Sequence, residues 1–476
     1  MEAIVIGSGK IPTRASLVKS AAAVFSIGSG GSIGREGPMV QIASLIASRI
    51  GRWRKFTPPQ LRLFVACGAA AGIASAYNAP IAGSFFVAEI ILGTIAMESL
   101  GPLVVSAVAA TLTIHVLTAA SVLYKVPSFA EVSPWEMGPY IVLGFITGAL
   151  APAFLISLKH AEKFFVSLKL PIIARLALGG LIVGAIAINV PQVAGNGYTV
   201  IIEILTGKTG WLLVPGLFAC KWLATMASFG SGAPGGVFTP SLFMGAGAGL
   251  LFGTAVHHIW PLGAQDPRAF ALVGMGAFLS AASHAPVMAV IMLFEMTMSY
   301  DIILPLLLCS VIAYYTAKSL EGSSLYSESL KRKAAAAPDP GLGEGRVADL
   351  MRANPPSIKP TAHFAEIARM FLNVRVNNLY VVDEEGKFVG VVSLHDIKPY
   401  LGEPDLAELV IARDIVREDF PRIAPEQPLT EALAGFLGLV AERLPVVERD
   451  GLLRGSLAKS DLLLALVEKR RAPAPA

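Results

Sequence analysis

Six stretches of the chain carry no Asp, Glu, Lys or Arg: residues 63–88, 99–124, 137–158, 176–202, 222–265 and 269–294. Each exceeds the ~20 apolar residues a helix needs to cross a bilayer core. The pattern predicts an all-α polytopic membrane domain over 1–330, because lipid offers no water to backbone groups and helices satisfy their own. Glycine, alanine and serine recur through these runs, which lets helices approach closely where apolar burial cannot drive them together. At KRKAAAAPDPGLGEGR (331–346) charge, proline and glycine replace the apolar runs and predict a linker over 331–345. Residues 346–476 then alternate helix-like and strand-like segments, such as NNLYVVD and FVGVVS, twice over, in 346–402 and 411–470. Each unit of about 55 residues is too small for a good core alone, so an α/β pair packed together is expected.

Composition sharpens the division. Of the 476 residues 54% are hydrophobic and 15% charged, against roughly 25% charged in a soluble protein. Residues 1–320 hold 29 charged side chains and residues 321–476 hold 43. The first part is net +7 and the second net −3, so the total of +4 sums unlike halves and gives nucleic-acid binding no support. Cys67, Cys220 and Cys309 lie far apart inside apolar segments and read as packing residues, neither a disulfide nor a metal framework. His257 and His258 read as interfacial, and no metal site is expected. The first residues, MEAIVIGSGKIPTR, lack the features of a signal peptide. No nucleophile triad or Walker loop marks an enzyme.

The chain also repeats itself within the membrane region. GSGGSIGREGP (28–38) matches GSGAPGGVFTP (230–240), and NAPIAGSFFVAE (78–89) matches HAPVMAVIMLFE (284–295), in the same order. Glu89 and Glu295 each follow an Ala-Pro proline by nine positions. Duplicated carriers place their substrate near the midplane, where broken helices from each half meet. The second copy has about 90 residues of membrane sequence before its glycine turn and the first only 27, so an N-terminally truncated reading frame is expected.

The chemistry concentrates at Glu36. An ionisable residue in a glycine-rich break between apolar segments costs roughly 2.5–3.5 kcal/mol at the bilayer centre and is functional by default. Glycines at 28, 30, 31, 34 and 37 leave amides uncovered, and Pro38 suits the first turn of a helix, whose N-terminus attracts anions. The Glu36 carboxylate is itself an anion on a short tether. It can fill that site and leave when protonated, which links anion passage to pH. The alternative is an ion pair between Glu36 and Arg35. GGVFTP offers a second such helix start at Pro240, with Phe238 in place of the acid. Tyr326, in EGSSLYSES, is either a hydroxyl donor to the anion or an interfacial anchor.

GREGPMVQ (34–41), GVFTP (236–240), NAPIAG (78–83) and the tyrosine of SSLYSES resemble the signatures of the CLC chloride channel and transporter family. Residues 346–476 resemble its paired cytoplasmic CBS domains. The likeness covers nearly the whole chain. It implies inverted membrane repeats, a homodimer with one anion pore per subunit, and a bacterial inner-membrane location with chloride as substrate and lipid as surroundings. By motif match Glu36 would be the gate. Arg35, Gly37, Val237, Phe238 and Tyr326 would line the anion path, with the Val237 amide and Phe238 flanking the central anion.

Two departures matter. The family's serine-bearing filter segment precedes the glutamate by about forty residues, and only 35 residues stand before Glu36; GSGKIP (7–12), with Ser8, lies too close and reads as a decoy. Proton-coupled relatives carry an inner glutamate where this chain has Ile90, which favours passive conduction over chloride/proton exchange. Glu89 reads as structural, shared with Glu295. A rival reading makes the membrane region an inactive anchor for a nucleotide sensor. In the CBS pair Ser393 and Asp396, and Asp461 in the second unit, resemble a nucleotide-contact pattern. Adenine-nucleotide binding and a ligand-free dimerising scaffold both remain open there, and no cofactor is required.

Overall fold

A computed structural model describes the chain apart from residues 6–7, 94, 119–122, 125, 128, 130–133, 262–265, 323, 325, 327–344, 375, 398–399, 401–408, 430, 433–435, 437–442 and 463–476, and the side chains of 2, 374 and 395. The predicted linker lies mostly outside the described residues. Two compact units emerge, Met1–Arg332 and Lys333–Ala476.

The first unit is helical. Its elements are α1 (Glu2–Val5), α2 (Thr13–Gly28), α3 (Glu36–Trp53), α4 (Pro58–Tyr77) and α5 (Pro80–Phe85), which runs into a π-helical turn at Phe86–Leu92. Then come α6 (Met97–Thr118), α7 (Met137–Ser167), α8 (Ile172–Asn189), α9 (Tyr198–Leu205) and α10 (Val214–Gly230). The last are α11 (Phe238–Ile259), α12 (Pro267–Ser283), α13 (Pro286–Thr297) and α14 (Ile303–Leu320). Among the described residues 6 helices are long and apolar enough to cross a membrane.

The charge-free runs are not all single spans, and this corrects the simplest reading of the pattern. Run 63–88 breaks at Asn78 and run 269–294 at His284, each left-handed at φ 55 and 57. A left-handed residue closes the preceding helix, and the Ala-Pro that follows restarts a new one with proline in its first turn. Run 222–265 breaks as well, between α10 and α11 across SGAPGGV, where Gly232 is left-handed at φ 91. Hydropathy counts residues and misses such interruptions.

α12 fills the centre, with every residue from Ala269 to Ser283 buried. α11 packs against it closely enough that a Cβ at Gly249 would stand 2.1 Å from the Phe270 carbonyl oxygen. The restarted helices cap one another across the repeat. Glu295 accepts from the Ile81 and Ala82 amides at 3.0 and 2.7 Å, and Glu89 from those of Val287 and Met288 at 3.4 and 2.8 Å. Each carboxylate thus answers the positive N-terminal end of the partner repeat's short helix.

The second unit holds β1 (Arg352–Ala353), β2 (Ser357–Ile358), α15 (Phe364–Val374), β3 (Asn378–Val382), β4 (Phe388–Ser393), α16 (Leu394–Ile397), α17 (Ala412–Ile415), β5 (Arg443–Val447) and β6 (Leu453–Ala458). They form two three-stranded sheets, ordered β2-β3-β4 and β1-β6-β5. The halves are not self-contained, as the repeat alone would suggest. β1 of the first pairs antiparallel with β6 of the second, and Val347 is buried in the second core beside Leu444 and Leu457. In return Ala412 and Ile415 complete the first core, with Ile367 and Leu379. Exchange of leading segments covers apolar surface that a unit of this size would leave wet.

Candidate functional site

The two glycine turns meet. Gly34 donates to the Gly236 carbonyl at 2.6 Å and Gly236 to that of Gly34 at 2.8 Å, an antiparallel bridge between equivalent positions of the two repeats. A polar stripe on α10 holds the first turn in place: the Ser228 hydroxyl accepts from the Ser32 amide at 3.0 Å, and Thr225 lies 3.1 Å from the Ser32 hydroxyl. One turn earlier on α10, fully buried Lys221 donates to the carbonyls of Val193 and Gly195 at 2.9 and 2.7 Å. The Gly195 amide in turn donates to the Gly30 carbonyl at 3.1 Å.

Each turn opens a helix. Met39 donates to the Arg35 carbonyl at 3.4 Å and Ser241 to that of Val237 at 3.0 Å, which sets where the helical ladders of α3 and α11 begin. The amides of Glu36, Gly37, Phe238 and Thr239 lie ahead of those ladders, and Pro38 and Pro240 have no N–H. Two positive helix ends therefore flank one spot, an arrangement suited to an anion.

Glu36 occupies that spot. It is 4% exposed, and its carboxylate is wedged against the two turns, because a Cβ at Gly34 or Gly236 would lie 2.1 or 2.7 Å from Oε2. Oε1 accepts from the Tyr77 hydroxyl at 2.5 Å and from the Thr239 hydroxyl. Those two hydroxyls are 3.3 Å apart. The ion pair with Arg35 does not form. The Arg35 guanidinium instead donates to the Ala76 carbonyl at 3.2 Å and lies 5.2 Å from the Tyr198 ring centroid.

Beside Glu36 lies a cavity of about 380 Å³, lined by Gly37, Val237, Phe238 and Tyr326 among others, with Lys159 and Glu162 of α7 supplying its charges. Tyr326 packs edge-on to Phe86 at 5.5 Å, and Phe86 to Phe238 at 6.3 Å. Five expected residues, Glu36, Gly37, Val237, Phe238 and Tyr326, thus share one cavity. Arg35 contributes no side chain to it, since its guanidinium is drawn to Ala76 and Tyr198. Ser8 stands apart as well: its loop packs against Leu61 and Ser48. Sequence reasoning missed Tyr77, Thr239 and Lys221. The available signal was a hydroxyl or ammonium inside a charge-free or nearly charge-free run, most plainly Tyr77 beside the Asn-Ala-Pro break.

In the second unit Asp396 accepts from the Ser393 amide and hydroxyl at 3.0 and 2.7 Å and pairs with Arg417. Arg352 grips Asp461 with two bonds of 2.9 Å. The expected ribose-binding acids are therefore both engaged by arginines, each from the leading segment of the other half. Burial works against ionisation of Asp396, yet the Ser393 and Arg417 bonds hold its carboxyl below the ordinary value. The two arginines and the two aspartates are each 65 positions apart, so the repeat carried this signal too.

Comparison with known proteins agrees with this architecture. Residues 1–318 match the family described as voltage gated chloride channel, and 347–403 and 412–468 each match a CBS domain. A ClcB-like protein of Ralstonia nicotianae is 49% identical over 336 residues, 70% of this chain and 78% of that one. The voltage-gated ClC-type chloride channel ClcB of Escherichia coli is 42% identical over 322 residues, 67% of this chain and 77% of its own. Among solved structures, a slow cyanobacterial Cl−/H+ antiporter superposes with a TM-score of 0.63 at 28% identity, covering 69% of this chain and 79% of that one. A eukaryotic CLC transporter shares the fold at 20% identity and a TM-score of 0.62, covering 94% and 80%. With two glycine turns joined at the heart of its helical unit and a CBS pair following in sequence, the chain belongs to the CLC chloride channel and transporter family.

Proposed function

We propose that the protein conducts chloride passively across a bacterial inner membrane, with Glu36 as the gate. The observation that carries this reading is the seat of the Glu36 carboxylate, between two helix N-termini and at the edge of the cavity. An ionised carboxylate there takes the anion's place. Protonation removes its charge, weakens its hold on the positive helix ends and lets it leave, and chloride then enters the same spot. The amides of Val237 and Phe238 and the Tyr326 hydroxyl would flank the anion as it passes.

Passive conduction is favoured over strict exchange because Ile90 stands where a proton-relaying glutamate would be needed, and isoleucine cannot relay a proton. Glu89 is no substitute, since its carboxylate caps α13. The reading extends to a homodimer with one pore per subunit and to CBS domains on the cytoplasmic side. There the Arg417–Asp396 and Arg352–Asp461 pairs favour a scaffold, because a nucleotide would have to displace an arginine to reach either acid.

The test is a chloride gradient imposed on proteoliposomes. Chloride flux with little accompanying proton movement is expected. Stoichiometric proton uptake would establish exchange instead, and absence of chloride flux would leave the membrane region an anchor.

A further inference from the structure

Between Lys208 and Asp266 the chain carries a single Asp, Glu, Lys or Arg, and it is Lys221. It lies in the apolar helix α10 and is 0% exposed. Burying an ammonium group is costly even when it is hydrogen-bonded, and an ionisable residue inside a membrane segment is functional by default. A smaller hydroxyl would be cheaper to bury, so the lysine does something that a hydroxyl cannot.

Its partners show what that is. Nζ donates to the carbonyls of Val193 and Gly195 at 2.9 and 2.7 Å and lies 5.7 Å from the Phe243 ring centroid. Both carbonyls belong to the connection between α8 and α9, where Gly195 and Gly197 are left-handed at φ 67 and 89. Non-helical backbone at membrane depth is tolerated only where protein covers it and satisfies its polar groups. A hydroxyl has one proton and answers one carbonyl, whereas an amine answers both. The loop also presses on the lysine stem, since a Cβ at Gly197 would stand 3.4 Å from Lys221 Cε and 3.0 Å from the Phe243 ring.

The loop in turn bears on the gate. The Gly195 amide donates to the Gly30 carbonyl at 3.1 Å, and a Cβ at Gly30 would stand 3.7 Å from that of Ala194. Lys221, Thr225 and Ser228 recur at i, i+4 and i+7, so they share one face of α10, and the last two hold Ser32. One helix face therefore grips the first glycine turn twice, directly at Ser32 and through the loop at Gly30. Two residues further on, Gly34 closes the bridge to Gly236 and backs the Glu36 carboxylate.

We propose that Lys221 is a positioning residue for the gate. By holding the loop 193–197 against Gly30 it fixes the first glycine turn, and with it the seat in which the Glu36 carboxylate competes with the anion. The assignment rests on Glu36 being the gate and adds the brace that holds its seat. Without the two bonds the turn loosens, the carboxylate fits it less well, and the gate opens at higher pH. The groups that face Glu36 stay in place: Arg35, Tyr77, Tyr124, Tyr198 and Tyr326, with Lys159 and Glu162 across the cavity.

The experiment follows chloride efflux across pH from proteoliposomes holding the full chain. Lys221→Met keeps an unbranched stem without the donors and should raise the pH of half-maximal flux by about one unit, the scale of one weakened hydrogen bond to a charged group. Lys221→Arg keeps donors and should bring the midpoint back toward wild type. In the Glu36→Gln background, at saturating chloride, Lys221→Met should change flux by less than about twofold, because the seat no longer holds a carboxylate. A folded Lys221→Met protein with the wild-type midpoint would overturn the role, as would an Arg variant displaced as far as the Met variant. An equal change of flux with and without the carboxylate would place the effect in the pore and overturn it too. If Lys221→Met does not fold, Lys221→Gln, with two donors on a shorter stem, replaces it with a smaller shift expected in the same direction; failure of both to fold would make the lysine a folding residue and overturn a role in the gate. A wild-type protein without pH-dependent flux would instead sink the gate reading itself, before any change at position 221.

Discussion

Removing one oxygen from Tyr77 should unlatch the gate. In the closed arrangement the Tyr77 hydroxyl donates to Glu36 Oε1 at 2.5 Å in a fully enclosed site. A hydrogen bond to a charged group contributes ~1.5–3 kcal/mol net. Tyr77→Phe keeps the ring against Phe238 at 5.1 Å and deletes that bond together with the 3.3 Å contact to the Thr239 hydroxyl. With about 1.4 kcal/mol per factor of ten, the closed state loses roughly tenfold to a hundredfold of its weight against the open state. Thr239→Val removes the second donor and should act in the same direction. The assay is chloride efflux from proteoliposomes at neutral pH. Flux from Tyr77→Phe should rise by about tenfold or more, with Glu36→Gln as its ceiling. In the Glu36→Gln background the same substitution should have a much smaller effect, because the amide oxygen can still accept from Tyr77 but carries no charge. Unchanged or lower flux from a well-folded Tyr77→Phe protein, or an equal effect with and without the carboxylate, would refute the latch.

Gly34→Ala places a methyl 2.1 Å from Glu36 Oε2, the end of a flexible side chain, so it should displace the carboxylate and raise flux with weaker pH dependence, read in the same liposomes. Glu295→Gln and Glu89→Gln should each lower stability by about 1–2 kcal/mol through a weakened helix cap, seen as a lower melting temperature in detergent, while chloride flux per folded protein is kept. Arg417→Ala should cost the second unit under about 1 kcal/mol, since the arginine side chain is 55% exposed; amide exchange over β4 and α16 reports it. Because the Asp396 carboxyl is held below its unfolded value, its contribution to stability is present above that value and is lost as pH falls through the folded one. Asp396→Asn should therefore flatten the acid limb of that exchange profile.

The sequence made much of this fold readable, for identifiable reasons. Charge-free runs marked α6, α7, α8 and α11 but not α14, which lies outside all six, and the two-fold matching of GSGGSIGREGP with GSGAPGGVFTP foretold the Gly34–Gly236 contact. The cavity residues Glu36, Gly37, Val237, Phe238 and Tyr326 followed from the same motifs and their family resemblance. What stayed hidden depends on distant packing. Nothing local tells that Tyr77 meets Thr239, 162 positions away, over one carboxylate. Arg35 was misplaced for a similar reason. Its neighbour in sequence is Glu36, but the turn aims the two side chains at different partners, and Ala76 and Tyr198 come from other helices. The exchange of leading segments in the CBS pair was also invisible to periodicity, which reports that a strand has a buried face and not which half covers it.

Chloride flux through wild type and Glu36→Gln, compared across pH in the same liposomes, bears most directly on the gate between the glycine turns. Wild-type flux should climb as the medium is acidified, and Glu36→Gln flux should be high and nearly flat. A Glu36→Gln protein that is silent, or that keeps the wild-type pH dependence, would contradict the assignment of that carboxylate as the group that yields its place to the anion.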